Sequence, residues 1–107
     1  MSKSTVVNQL PLSTTRQVVH LGPDKYISYV HAANSDASAA YHVVLYLIPA
    51  VRSSSTKSEH ILWYADVASK STGVMDFSNS PVRVPTGWSL EAVAEANNKI
   101  TLNVMGF

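Results

Sequence analysis

Cysteine is absent from the 107 residues. No disulfide can staple the fold, and no thiolate is available as metal ligand or nucleophile. Charge is almost as scarce, at 14% of residues against roughly 25% in a typical soluble domain. Eight basic and seven acidic residues are scattered singly and leave a net +1. That gives no basic stripe able to neutralise several phosphates, so no nucleic-acid partner is expected. Long apolar runs are missing too. The longest, Val43 to Ile48 before Pro49, has the length of a strand. It falls far short of the ~20 residues that span a bilayer, so no membrane partner is expected. Met1 to Leu10 has no apolar stretch of signal-peptide length, which points to a product made in the cytoplasm and kept there or carried out inside an assembly.

What remains is a chain rich in Ser, Thr, Asn and Ala, with 46% hydrophobic residues. That share excludes intrinsic disorder, which needs low hydrophobicity and usually high net charge. The length suits one domain with one core.

Short apolar segments alternate with turn signals at intervals of roughly 8 to 12 residues, the spacing of all-β sandwiches and barrels. Val18 to Leu21 stops at Gly22-Pro23-Asp24, and Tyr26 to Ala33 stops at Asn34-Ser35-Asp36. Tyr41 to Ile48 is apolar on both faces, which predicts a central strand covered on both sides. Arg52 to Glu59 is Ser-rich and reads as an exposed, mobile loop open to proteolysis. Ile61, Trp63, Ala65 and Val67 alternate with His60, Tyr64 and Asp66, which predicts a strand with the first set inward. Val74 to Phe77 and Val82 to Val84 are short, and Pro81 and Pro85 around the latter suit an edge.

Ser89 to Ala96 reads either as a short helix capped by Ser89 or as the first strand of a hairpin turning at Asn97-Asn98. A lone helix of two turns is marginal, which favours the hairpin. Ile100, Leu102 and Val104 then make a period-2 strand. The sum is a single antiparallel β-sandwich over residues 14–107, jelly-roll-like, with seven or eight strands. Residues 1–13 read as an extended N-terminal arm, polar but for Val6, Val7, Leu10 and Leu12, able to pair with or lie on a neighbour. An ending on Phe107 implies that this aromatic is docked, within the fold or on another subunit.

Candidate chemistry is thin. His20, His31 and His42 recur every eleven residues, which could set them at similar heights on successive strands. No His-x-His or His-x-x-x-His pair exists and no carboxylate lies at ligand spacing, so no metal and no cofactor is expected. No serine sits in a nucleophile elbow, no carboxylate pair stands out, and no Gly-rich phosphate loop exists. The expectation is therefore not an enzyme. Trp63 and Trp88 read as core. Tyr46 and Tyr64 fall on the opposite sheet face, where exposed tyrosines among neutral residues make contact hot spots.

From Asn34 onward the chain resembles small β-sandwich virion structural proteins of tailed bacteriophages. The resembling pieces are the turn Ala33-Asn-Ser-Asp-Ala-Ser38 feeding Tyr41-His-Val-Val-Leu-Tyr-Leu-Ile-Pro49, then the Ser-rich loop and Ile61-Leu-Trp-Tyr-Ala-Asp-Val67. Val84-Pro-Thr-Gly-Trp-Ser-Leu-Glu-Ala92 and Lys99-Ile-Thr-Leu-Asn-Val-Met-Gly106 complete them. The resemblance implies a virion component without catalytic residues, made in the host cytoplasm. It implies a capsid decoration or cement protein, commonly a homotrimer, that contacts itself and the major capsid protein or other virion proteins. Val6, Val7, Leu10, Leu12, Tyr46, Tyr64 and Phe107 are then the candidate interface. A tail, baseplate or fibre module binding a host glycan through Tyr64, Tyr46 or Trp88 is the alternative.

Overall fold

The computed structural model describes residues 5–49 and 60–107. The Ser-rich stretch Arg52 to Glu59, and Met1 to Ser4 of the expected arm, lie outside the described residues. Among the described residues there are nine strands: β1 (Thr5–Pro11), β2 (Gln17–Leu21), β3 (Lys25–Asn34), β4 (Tyr41–Ile48), β5 (Ile61–Val67), β6 (Thr72–Asp76), β7 (Val82–Val84), β8 (Ser89–Ala94) and β9 (Ile100–Gly106). They form two antiparallel sheets. The first runs β1-β9-β3-β6, with β7 also pairing β3, and the second runs β2-β8-β4-β5. Leaving β7 aside, the pairs β1·β9, β2·β8, β3·β6 and β4·β5 nest from the outermost strands inward. That is a ribbon of strand pairs rolled into two layers, a jelly roll. Ser89–Ala94 is strand rather than helix, but the expected hairpin is corrected: β8 pairs with β2 and β4 and β9 with β1 and β3, so the Asn97-Asn98 turn carries the chain from one sheet to the other.

The count of seven or eight strands is corrected to nine, and the ninth is the segment read as an arm. Residues 5–11 are extended, but their partner is β9 of the same chain, from Thr5↔Gly106 to Pro11↔Thr101. The reason is geometric: β9 has one side on β3 and would leave its other row of N–H and C=O groups open without β1. A bulge between Val6 and Asn8 breaks the alternation, so Val7 packs on the core and Asn8 gives its amide to the Val19 carbonyl of β2 at 2.8 Å. Leu12 is fully buried in the core.

Between the sheets lie Ile27, Val30 and Ala32 of β3, Val43 and Leu45 of β4, Leu90, Ala92 and Ala94 of β8, and Ile100, Leu102 and Val104 of β9. The clean period 2 of β9 follows from its place: each second residue faces the opposite sheet. β4 is central, between β8 and β5, and Val43, Val44 and Leu45 are consecutively buried. β5 departs from its simple alternation. A register shift between Leu45 and Tyr46 puts an extra residue at Leu62, so Ile61 lines up with Tyr46 and is turned outward.

At one end of the first sheet β9 meets β3 very closely. A Cβ on Gly106 would collide with the Tyr26 carbonyl, so only glycine fits there. Just beyond, Phe107 and Tyr26 exchange two main-chain hydrogen bonds of 2.9 and 2.8 Å, and their rings stack at 5.5 Å. Gly106→Ala must push β9 off β3. Urea unfolding should show a loss of about 1–3 kcal/mol, the usual cost of overpacking.

Candidate functional site

The outer face of the second sheet carries the features worth examining as a site. Directly paired residues on antiparallel strands share a face, so the register defines rows across it. One row is Val18, Glu91, Tyr46 and Ile61, crossing all four strands. The next is Val93, Val44 and Tyr64, followed by His42 and Asp66 with Glu95 beside them. Leu21, Ser89 and Ile48 form the row on the far side of Glu91.

Four of the large exposed apolar side chains lie in these rows: Val18 (49% exposed), Leu21 (54%), Ile61 (41%) and Tyr64 (53%). Strand alternation puts Val18 and Tyr64 outside, with Val19 and Val67 inward, while Leu21 and Ile61 come to this face beyond the bulges of β2 and β5. Glu91 is different. It sits buried in the middle of this face, held by Arg16 at 2.8 Å and by the Ser89 hydroxyl, which donates to its other carboxylate oxygen. A buried carboxylate needs such partners.

The polar end of the face is built around His42. Its ring stacks on Tyr64 at 5.4 Å, and its Nδ1 lies 3.3 Å from the Glu95 carboxylate. Below it, the β3–β4 connection is a hydrogen-bonded knot. The buried Asn34 amide donates to the carbonyls of Ala39 and Val67, each at 2.9 Å, while its oxygen accepts from the N–H of Asp36. Asp36 accepts from the N–H groups of Ser38 and Ala39 and from the Tyr41 hydroxyl, with Lys99 at 3.6 Å. The two backbone donors, together with the hydroxyl and the nearby ammonium, hold this carboxyl down at about 2, from an ordinary 3.8.

The candidate interface residues are dispersed. Val6 (64% exposed) is on the outer face of the first sheet, while Val7 and Leu10 pack against the core. Leu12 is removed from the set as a correction, because a side chain fully enclosed in its own core reaches no partner. Tyr46 is half-buried beside Glu91, and Tyr64 stands open. Phe107 (38% exposed) is engaged by Tyr26. Trp88 is half-buried at a cleft of about 510 Å³ shared with Leu47 and Leu62.

The eleven-residue recurrence does not bring the histidines together. His31 is on the first sheet beside Asn103, whereas His20 and His42 are on the second, on β2 and β4 with β8 between them. Among the described residues no three His, Asp or Glu side chains are grouped to hold a metal. Sequence reasoning missed Val18, Leu21 and Ile61 as surface residues. Alternation against Val19 marked the first, but the bulge that turns Ile61 out has no signal in the sequence.

Comparison with protein-family models, with curated proteins and with solved structures finds no match.

The depressed Asp36 carboxyl predicts acid sensitivity. A group whose folded value lies below its unfolded one contributes stability above the unfolded value and loses it as pH falls through the folded one. Asp36 therefore supports the fold above about pH 4, and that support drains away towards about pH 2. Melting curves from pH 6 to pH 2 should show Asp36→Asn less stable than the parent at pH 6, the two converging at pH 2.

Proposed function

We propose that this chain is a non-enzymatic structural component of a tailed-phage virion, which decorates or cements the capsid through oligomeric contacts. The observation that carries the reading is the outer face of the second sheet. It gathers four exposed apolar side chains on rigid strands, with its one buried charge already paired. Contact patches between proteins are depleted in unpaired charge and enriched in aromatics at their centres. The rolled two-sheet architecture is also one used by viral coats, although lectins and cupins share it. A decoration protein acts by linkage: bound only to the assembled shell, it raises the shell's stability by mass action. Homotrimers are the arrangement implied by the phage resemblance.

The test is co-sedimentation with shells of the phage that encodes the chain. Tight binding is expected, and Tyr64→Lys with Val18→Lys should weaken it at least tenfold without unfolding the domain. A chain that never sediments with shells at micromolar concentration refutes the role.

A tail or fibre module that binds a host glycan is the second reading, favoured by one feature. Tyr64 is the most open of Tyr46, Tyr64 and Trp88, and it stands beside His42 with two carboxylates near. Glycan-array binding lost in Tyr64→Ala would support this reading, and silence across the array would remove it.

A further inference from the structure

Each sheet of this sandwich has two edges, and three of the four are guarded. The β1 edge carries a bulge and ends on Pro11. The β2 edge is five residues long and bulged between Val18 and His20. The opposite edge of the first sheet is split between two short strands, β6 and β7, and β7 holds Arg83 between Pro81 and Pro85. Bulges, prolines, charges and shortness are the devices that keep sheet edges from pairing with other chains. β5 differs. It is seven residues long, Ile61-Leu-Trp-Tyr-Ala-Asp-Val67, without Pro, Lys or Arg, and its bulge is confined to Leu62 near the start.

The hydrogen-bonding side of each β5 residue follows from β4. His42 accepts the Glu95 N–H on its carbonyl at 3.1 Å and gives its own N–H to the Glu95 carboxylate at 3.1 Å. Both main-chain groups of His42 therefore point to β8. Alternation turns those of Val43 and Leu45 to β5, where they engage Ala65 and Trp63. Tyr64 and Asp66 are left with N–H and C=O directed away from β4. Among the described residues no main-chain group is paired with them.

We propose that this free edge of β5 pairs antiparallel with the same edge of a second copy, about a two-fold axis at Tyr64, making one eight-stranded sheet. Tyr64 is the middle residue of β5, so the two copies face one another from Ile61 to Val67, with the Leu62 bulge of each copy towards the ends of the shared ladder. In this register Tyr64 exchanges two hydrogen bonds with its counterpart, and Leu62 lies opposite Asp66 of the second copy. Bulky Trp63 meets small Ala65. The lone charge of the strand chooses this register over the neighbouring one. Centred on Tyr64, the two Asp66 residues are offset along the strands by about 14 Å, at ~3.4 Å per residue. Centred on Ala65 they would be offset by only about 7 Å, and like charges would crowd. The outer face then runs unbroken across both copies, with Tyr64 and Ile61 (53% and 41% exposed) at the seam. The occupant is a second copy because the edge is complementary to itself. The contact rests on the self-associating part of the proposed role, not on the phage assignment, and puts a two-fold pair in place of the homotrimer that the phage resemblance implies.

The absence of cysteine makes the test clean. Tyr64→Cys places one thiol per chain at the axis, where paired Cα atoms lie about 5.5 Å apart, inside the range a disulfide bridges. Mild oxidation at micromolar concentration should link Tyr64→Cys into a covalent dimer, whereas Val18→Cys, equally exposed on β2, should stay unlinked. Light scattering should give the parent chain a dimer mass and Tyr64→Lys, with two ammonium groups meeting at the axis, a monomer mass. A parent chain that is monomeric at 100 µM, or equal cross-linking of the two cysteine variants, overturns the contact. Shell binding by a chain that stays monomeric would uphold the virion role and still overturn this pairing. Cross-linking at Tyr64 by a chain that binds no shell would do the reverse.

Discussion

Everything else in this fold depends on β9 being hydrogen-bonded on both sides, to β1 and to β3. β9 pairs with strands from the far end of the sequence, and its inward residues Ile100, Leu102 and Val104 are completely buried. Until β1 and β3 flank it, neither its backbone groups nor those side chains have partners. The constraint is tightest at Gly106, where β9 approaches the Tyr26 carbonyl too closely for any side chain. The second sheet repeats the logic with β8 between β2 and β4. Such nesting makes nearly every stabilising contact long-range, the kind of topology that closes large loops before contacts compensate for the lost entropy.

The same arrangement decides where the polar residues go. Connections between sheets leave main-chain groups without strand partners, and side chains must serve them. Asn34 and Asp36 do this at the β3–β4 turn, each with several main-chain partners. Asn8 does it between the two edge strands β1 and β2. Much of the chain's Asn and Ser is therefore structural.

The strands that sequence reading placed well are those whose neighbours impose a simple rule. β4 is central in its sheet and apolar but for His42, although its outer side, with His42 and Tyr46 half-buried, belongs to the open face and lacks the cover expected on both sides; β9 alternates without a break. Both bounds of β4 and of β5 were legible. What stayed hidden depends on partners distant in sequence. β1 is an edge strand with a bulge, so only Val7, Leu10 and the following Leu12 bury apolar surface, and it reads as a polar tail. Ile61 is turned out by an extra residue that only the register with β4 defines. Glu91 looks like any surface carboxylate until Arg16, 75 positions earlier, is brought beside it. On the candidate face, Tyr64 was legible as outward-pointing and Val18 was marked by alternation against Val19, while Leu21 and the ion pair of Glu91 with half-buried Arg16 were not.

That ion pair bears on how the face avoids indiscriminate adhesion. A buried carboxylate–guanidinium pair is weak evidence for stability, because desolvation offsets most of the attraction and apolar replacements often do as well. Its position is more telling than its strength. Glu91 stands in the row from Val18 through Tyr46 to Ile61. An apolar residue there would complete a hydrophobic stripe across all four strands, and contiguous stripes of that kind invite non-specific association. With Glu91 held by Arg16 and Ser89, the stripe is cut between Val18 and Tyr46. The apolar side chains on the β5 side, Ile61 and Tyr64, are thereby separated from Val18 and Leu21 on β2. The face then offers two smaller patches at its opposite edges, and an association that uses one of them leaves the other free for a different neighbour.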